Sequence, residues 1–139
     1  MRAPRDPSTP LRVMVVEDDP LIADDLAATI EATAQPASLV VCRAASTPEA
    51  LVGARETSPD VAFVDANLHD GRTGPELAEL LDTHFGVVVV LAAGEIVHFQ
   101  GASTRAVCVL PKPFTPEGVS ESLRSAAREI DLRARRRTG

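Results

Sequence analysis

The chain has 139 residues, of which 45% are hydrophobic and 24% are charged, and it contains neither Trp nor Tyr. This length and composition are typical of one globular domain with a mainly aliphatic core. No window is apolar enough to span a membrane, and the start "MRAPRDPSTP" lacks the apolar stretch of a signal peptide. We therefore expect a cytoplasmic protein with no membrane partner.

The net charge of -6 is unevenly distributed along the chain. Residues 13–127 carry seventeen acids and six bases, whereas residues 128–139 carry five arginines and two acids. An acidic body argues against a nucleic-acid partner, because such binding normally needs a basic face across the folded domain. Arginines at the end of a helix also interact favourably with the helix dipole, so we interpret the basic C-terminus, residues 134–139, as a structural tail.

Five apolar, β-branched runs alternate with segments of helical spacing. The runs are "LRVMVV" (11–16), "SLVVC" (38–42), "VAFVD" (61–65), "VVVVLA" (87–92) and "AVCVL" (106–110). Near-continuous hydrophobic runs are typical of strands that are covered on both faces. Five such strands alternating with helices predict a parallel α/β sheet with right-handed crossovers. Residues 1–10 contain three prolines and little that could pack, so they are predicted to be a flexible arm.

The predicted helices begin at capping signals. Asp19, Thr47 and Thr115 each stand directly before a proline, a residue that is favoured at the first helical position. Ser46 and Glu49 also have the spacing of a capping box. The fourth of the five predicted helices, around "GEIVHFQG", is the weakest because it is short and flanked by glycines.

Charged side chains follow three of the predicted strands. Glu17, Asp18 and Asp19 follow the first strand, Asp65 ends the third, and Lys112, the only lysine, follows the fifth and lies between two prolines. In an open parallel sheet the carboxyl ends of the strands meet at one edge, where functional groups collect. All five side chains are therefore expected at one rim. With thirteen arginines available for surface charge, a single lysine indicates a site that needs a compact ammonium group.

This set of charges has a chemical interpretation. Neighbouring carboxylates raise one another's pKa values, so they do not all stay ionised unless a cation lies close to them. Carboxylate oxygens are ligands that suit Mg²⁺. A lysine across the site could neutralise a phosphate as a point charge. The pattern predicts phosphoryl transfer to a carboxylate, with Asp65 as the nucleophile. The alternative is that strand-end acids are helix caps; this suits Asp19, which precedes Pro20, better than Asp65, which ends an apolar strand.

The stretches "VMVVEDDP", "VAFVDANLHDG" and "VLPKPF" resemble the three signatures of the receiver domain of two-component response regulators. The resemblance covers residues 11–133 and implies a doubly wound, flavodoxin-like α/β fold: a five-stranded parallel sheet of order 2-1-3-4-5 flanked by five helices. It implies that a histidine kinase or histidine phosphotransfer protein phosphorylates Asp65. The strand order would also place Cys42 and Cys108 at opposite edges of the sheet, too far apart to form a disulfide.

Carried over residue by residue, the resemblance assigns a role to each position. Asp18 would ligate Mg²⁺ directly and Glu17 directly or through water, while Asp65 and the backbone carbonyl of Asn67 complete the protein ligands. Lys112 would contact the phosphoryl group, and the Lys112-Pro113 peptide would be cis. The chain ends about where the fifth helix does, so we expect a stand-alone receiver that acts through an unknown downstream protein, with homodimerisation left open.

Two positions depart from the receiver pattern. Ala92 stands where the family has a Ser or Thr whose hydroxyl bonds the phosphoryl group, and Val109 stands where it has an aromatic residue. "LAAG" (91–94) resembles the Phe-Ala-Thr-Gly of a subset of alphaproteobacterial stand-alone receivers, although Ala93 replaces its threonine. Without both switch residues, the usual coupling from the phosphoryl group to the surface of the fourth helix and fifth strand lacks its basis. Ser103 and Thr104 are candidates to supply the missing hydroxyl.

Two further hypotheses compete with a phosphorylatable receiver. A receiver-like adaptor that binds its partner independently of phosphorylation is favoured by Ala92 and Val109, but it has no need of Asp65 and the single lysine. An aspartate-based phosphatase would need an acid two residues after the nucleophile, where Asn67 stands, and an amide cannot shuttle a proton. The protein is therefore not expected to be an enzyme beyond its own phosphorylation and autodephosphorylation at Asp65. His69 and Arg72 could reach the site from the loop that follows.

Overall fold

A computed structural model describes Asp6 and residues 8–68, 74–94 and 106–138. The strands are β1 (Leu11–Val16), β2 (Ser38–Ala44), β3 (Val61–Asp65), β4 (Val88–Ala93) and β5 (Cys108–Pro111). The helices in these ranges are α1 (Pro20–Ala32), α2 (Thr47–Thr57), α3 (Gly74–Phe85) and α4 (Pro116–Thr138). These are four helices rather than the five predicted, and the helix predicted around residues 94–101 lies, apart from Gly94, outside the described residues. None of the four combines the length and hydropathy needed to cross a bilayer.

All strand pairs are parallel, and the order in the sheet is β2-β1-β3-β4-β5, as predicted. This order places β1 beside β3, so the residues that follow these two strands are neighbours at the same rim. β4 separates β3 from β5, and a side chain that follows β5 must be long to reach the end of β3. The topology therefore favours a long side chain, such as that of Lys112, at the end of β5.

The two faces of the sheet bury separate hydrophobic clusters because successive strand residues point to opposite faces. One face packs against α1 and α4 and includes Val13, Val15, Val61, Phe63, Leu26, Ile30, Val119 and Leu123. The other packs against α2 and α3 and includes Met14, Val16, Ala62, Val64, Ala50, Ala54, Leu77 and Leu81. Each fully buried large aliphatic or Phe side chain contributes roughly 1.5–3 kcal/mol. The two cores hold the strand ends, and with them the rim, in a defined arrangement.

The helix starts largely follow the predicted capping signals. The Asp19 carboxylate accepts from the backbone N–H groups of Leu21 and Ile22, and the Thr115 hydroxyl accepts from the N–H of Gly118 at 3.0 Å. The cap of α2 is Ser46, whose Oγ accepts from the N–H of Glu49 at 3.3 Å, whereas Thr47 is already helical. The prediction of Thr47 as a cap was wrong because the capping-box pair starts the helix one residue earlier.

The two cysteines lie on the two edge strands, Cys42 on β2 and Cys108 on β5, and they do not pair, as predicted. Burial raises the pKa of both thiols. At the C-terminus, α4 continues as a helix through residues 134–138, and Arg133 bonds the carboxylates of Asp82 and Glu129, each at 2.9 Å. The division into arm, domain and basic tail stays a prediction.

Candidate functional site

The ammonium group of Lys112 bridges two carboxylates at the rim. Its Nζ lies 3.1 Å from Oε1 of Glu17 and 3.2 Å from Oδ1 of Asp65. Glu17 follows β1, Asp65 ends β3 and Lys112 follows β5. Residues that are 95 positions apart in the sequence thus meet because the sheet order brings their strand ends together.

Asp18 completes a cluster of three carboxyl groups with Glu17 and Asp65, called here the carboxylate cluster. One oxygen from each residue lies within 4.8 Å of the other two. Glu17 and Asp65 are buried, at 6% and 7% exposure, while Asp18 is half-buried. Three carboxyl groups therefore share a partly desolvated space with one lysine.

The environment changes the proton affinities of two of these groups. Burial raises the pKa of Glu17, and the charge of Asp65 raises it further, against the N–H of Asp19 and the ammonium of Lys112, which lower it. Burial alone would lower the pKa of Lys112, but the charge of Asp65 and the bond to Glu17 outweigh that effect, so the pKa is raised. Lys112 is thus cationic at neutral pH, whereas burial disfavours the ionised form of Glu17, an effect that a further cation would oppose.

The donor set of the carboxylate cluster fits a hard divalent cation. It offers carboxylate oxygens only, which are the ligands that Mg²⁺ prefers, and its half-buried member leaves part of the cluster open to water. A bound cation would favour the ionised form of each carboxyl group and would so oppose the effect of burial on the pKa of Glu17. These residues could therefore hold Mg²⁺.

Residues 65–67, called here the 65–67 segment, are held by the strand next to them and by their own hydrogen bonds. Asp65 lies opposite Ala92 in the register of β3 and β4, and the N–H of Ala66 donates to the carbonyl of Ala92 at 2.9 Å. The N–H of Asn67 donates to Oδ1 of Asp65 at 3.1 Å, which turns the chain around the carboxylate. Asn67 itself is exposed beside the carboxylate cluster.

Sequence reasoning missed one residue of this region, Gly74. It begins α3, it is buried, and its N–H donates to the carbonyl of Ala66 at 2.8 Å. The available signal was a glycine directly before a proline at a helix start, which did not indicate a contact with the backbone of the 65–67 segment.

The two altered switch positions lie in different environments. Ala92 is 3% exposed and stands directly opposite Asp65, where it presents a methyl group. Val109, on β5, lies beside Leu91 of β4. It is half-buried and packs against the hydrophobic cluster that faces α2 and α3. Ala92 is therefore at the rim, and Val109 belongs to the packing of the other face.

Other predicted features have a mixed outcome. The Lys112-Pro113 peptide is cis, as predicted. His69, Arg72, Ser103 and Thr104 lie outside the described residues, so their proposed contacts with the site stay predictions.

An open apolar groove of about 470 Å³ lies beside Lys112. It is lined by Leu21, Ile22, Asp25, Lys112, Pro113 and Phe114. Leu21 is 78% exposed, although it is a large aliphatic residue. The rim is thus continuous with a hydrophobic surface formed by α1 and the loop between β5 and α4.

Comparison with known proteins places these features in one family. The family model for the response regulator receiver domain matches residues 13–124. The phyllosphere-induced regulator PhyR of Methylorubrum extorquens is 32% identical over 127 residues, which are 90% of this chain and 46% of that protein. The chain spans about half the length of the curated relatives it matches.

Solved structures agree with the family match. The crystal structure of the response regulator PhyR from Brucella abortus aligns with a TM-score of 0.77 at 25% identity, covering 91% of this chain and 51% of that one. The receiver domain of a modulated diguanylate cyclase from Desulfovibrio desulfuricans aligns with a TM-score of 0.78 at 24% identity, covering 90% and 99% respectively. The second likeness concerns the fold alone.

Proposed function

The chain belongs to the response regulator receiver domain family, and from that premise we propose that Asp65 accepts a phosphoryl group from a histidine kinase or histidine phosphotransfer protein. The phosphorylated protein would then signal by contact with another protein or pass the phosphoryl group on. The proposal rests on one observation, the bridge from Lys112 to Asp65 and Glu17. We expect donor and receiver to meet in the cytoplasm.

The proposed transfer exchanges one phosphorus bond for another. A carboxylate oxygen of Asp65 attacks the phosphorus of a phosphohistidine, and a P–O bond forms as the P–N bond breaks. The imidazole nitrogen keeps the electron pair of the broken bond and takes up a proton, and the product is an acyl phosphate on Asp65. The ammonium of Lys112, already 3.2 Å from Oδ1 of Asp65, stabilises the negative charge on the phosphoryl oxygens.

Glu17, Asp18 and Asp65, with the backbone carbonyl of Asn67, are the proposed Mg²⁺ ligands. Mg²⁺ held by these residues would supply positive charge that offsets the negative charge of the carboxylates and of the phosphoryl group. The chain itself orients these groups, because the N–H of Asp19 holds Oε2 of Glu17 at 3.2 Å while Lys112 holds its Oε1. The N–H of Asn67 holds Oδ1 of Asp65 and leaves the second carboxylate oxygen available for attack.

The apolar groove beside Lys112 is the proposed contact surface for the phosphodonor protein. A donor must bring its phosphohistidine up to Asp65, so its surface has to cover the residues around the rim. Leu21 is the most exposed large hydrophobic residue in the described part of the chain, and it lines the groove together with Lys112. Burying such a residue under a partner removes apolar area from water and favours the complex.

A phosphorylation-independent adaptor remains the second candidate function, and Ala92 favours it. The position opposite Asp65 has no hydroxyl that could respond to a phosphoryl group. An adaptor would bind its partner equally well whether or not Asp65 is phosphorylated, whereas a receiver would not.

The proposed function is tested by intact mass spectrometry after incubation with a small phosphodonor and Mg²⁺. We expect the native protein to gain one phosphoryl group, Asp65→Asn to gain none, and a sample with excess chelator to gain none. Asp82→Asn is the matched control, because Asp82 bonds Arg133 and is not part of the carboxylate cluster. It should be phosphorylated like the native protein. Absence of any gain, also with a phosphorylated histidine phosphotransfer protein as donor, would leave the adaptor as the function.

A further inference from the structure

The first residue of α3 lies directly against the backbone of the 65–67 segment. The N–H of Gly74 donates to the carbonyl of Ala66 at 2.8 Å, and Gly74 is buried. A Cβ atom at this position would lie 2.5 Å from both the carbonyl oxygen of Asp65 and the Cα of Ala66, and 3.1 Å from the carbonyl carbon of Ala66. All three atoms belong to the backbone, so no side-chain rotation could relieve the overlap. Glycine alone permits this approach.

The backbone that Gly74 touches is the one that carries the proposed site. Asp65 ends β3 opposite Ala92, and the N–H of Ala66 is bonded to the carbonyl of Ala92. Gly74 holds the other side of Ala66 through its carbonyl. The peptide groups of Ala66 are thus bonded to β4 on one side and to α3 on the other, and Asn67 follows directly.

From these contacts we infer that Gly74 is a positioning residue for the Asp65 carboxylate and the Asn67 backbone carbonyl. Its lack of a side chain lets α3 pack onto the 65–67 segment and fix the directions of these two groups. The inference deepens the proposed function and rests on it, because it assigns the supporting contact for the proposed Mg²⁺ ligands. A Cβ at this position has to displace either the start of α3 or the 65–67 segment itself.

A second crowded glycine provides a matched control. Gly53 is buried in α2, and a Cβ there would overlap Sγ of Cys42 on β2. Gly53→Ala therefore also adds a methyl group to a tightly packed, buried helix position. The contact is with β2, however, and the carboxylate cluster is not part of it. Steric overlap of the added methyl group is common to both variants, and displacement of the site is expected of Gly74→Ala alone.

The test compares native protein, Gly74→Ala and Gly53→Ala by titration calorimetry with Mg²⁺ and by the rate of phosphorylation at saturating Mg²⁺. A misplacement of about 1 Å can lower a rate about 100-fold, so we expect Gly74→Ala to bind Mg²⁺ at least about tenfold more weakly and to react at least about tenfold more slowly. Gly53→Ala should stay within about twofold of native in both, whatever its melting temperature. A Gly74→Ala protein that melts earlier but binds and reacts like native overturns the inference.

An inactive native protein and a Gly74→Ala variant that does not fold would have different consequences for the inference. If the native protein neither binds Mg²⁺ nor takes up a phosphoryl group, the proposed function and the inference are both wrong. If the native protein does both and Gly74→Ala behaves like it, only the inference is wrong. If Gly74→Ala does not fold, the double variant Ala66→Gly/Gly74→Ala replaces it, because a glycine at position 66 lets that backbone move away from the new methyl group. Compared with Ala66→Gly alone, it should bind Mg²⁺ more weakly, and equal affinities would contradict the inference.

Discussion

Asp65 and Ala92 face each other across β3 and β4, so the residue opposite the proposed phosphoacceptor ends in a methyl group. Ala92 is 3% exposed, and its carbonyl accepts the N–H of Ala66. The two strands are thus joined at the site by the backbone, without a side chain on β4 that could bond a phosphoryl oxygen. Any conformational change that phosphorylation of Asp65 causes in β4 would therefore have to begin at this backbone contact.

Ala92→Ser should extend the response to phosphorylation. A hydroxyl opposite Asp65 can donate to a phosphoryl oxygen, whereas a methyl group cannot. In amide NMR spectra of the native protein, we expect shifts on phosphorylation to be confined to residues around the rim, and in Ala92→Ser to reach β4 and β5. Ala93→Ser is the control, because successive strand side chains point to opposite faces. Identical shift patterns in all three proteins would contradict the prediction.

Replacing Lys112 by Met should slow phosphorylation of Asp65 by about 10²–10³-fold, the cost of removing one group that stabilises developing charge. The side chain keeps its apolar length, but the ammonium 3.2 Å from Oδ1 of Asp65 is lost. The measurement is the rate of mass gain with a small phosphodonor at saturating Mg²⁺. Arg43→Met removes a cation whose partner is Asp24, and it should react at the native rate. A native rate for Lys112→Met would exclude its role.

Mg²⁺ should stabilise the folded protein. A ligand that binds only the folded state adds about 2.7 kcal/mol to the free energy of unfolding at 100 times its dissociation constant. Urea denaturation with Mg²⁺ and with chelator measures this difference. We expect it to be largely lost in Asp18→Asn, which alters a member of the carboxylate cluster, and kept in Asp24→Asn, whose partner is Arg43. Equal stabilisation of both variants would show that the cation binds elsewhere.

Glu17→Gln should stabilise the metal-free protein, increasingly so as the pH rises. Burial raises the pKa of Glu17, so the folded state binds its proton more tightly than the unfolded state does. The free energy of unfolding of the native protein therefore falls as the pH rises from below the unfolded pKa through the folded one, and Gln lacks this titration. Melting temperatures in chelator between about pH 4 and neutral pH measure the effect. A difference in melting temperature between Glu17→Gln and the native protein that shrinks as the pH rises would contradict the prediction.

Leu21→Ala should weaken phosphorylation by a donor protein and leave phosphorylation by a small phosphodonor unchanged. The side chain is exposed in the groove beside Lys112, outside the carboxylate cluster. Fully burying a leucine side chain contributes roughly 1.5–3 kcal/mol, and about 1.4 kcal/mol corresponds to a factor of ten, so we expect about a tenfold loss in the second-order rate constant with a phosphotransfer protein. Leu39→Ala, an exposed leucine on the edge strand β2, should have no effect. Equal rates for both variants would exclude the groove as the contact surface.

The strands, most helix starts and the chemical character of the rim could be predicted from the sequence because they depend on neighbouring residues. "VAFVD" forms β3 from Val61 to Asp65 as predicted, and Asp19 caps α1. The sequence also placed Asp65 and Lys112 at strand ends, since parallel strands end at a common edge. The cap of α2 was wrongly predicted at Thr47, because Thr47 directly before Pro48 and Ser46 one residue earlier both offer a hydroxyl at this helix start.

The sequence by itself thus determined the α/β pattern, the acids and the lysine that meet at the rim, and the lack of a hydroxyl at Ala92. Only the tertiary structure decided that Lys112 bonds both Glu17 and Asp65, that burial raises the pKa of Glu17, and that Gly74 packs onto the backbone of Ala66. The physical reason is distance along the chain. Periodicity and caps depend on residues a few positions apart, whereas these contacts depend on how whole strands and helices pack against each other.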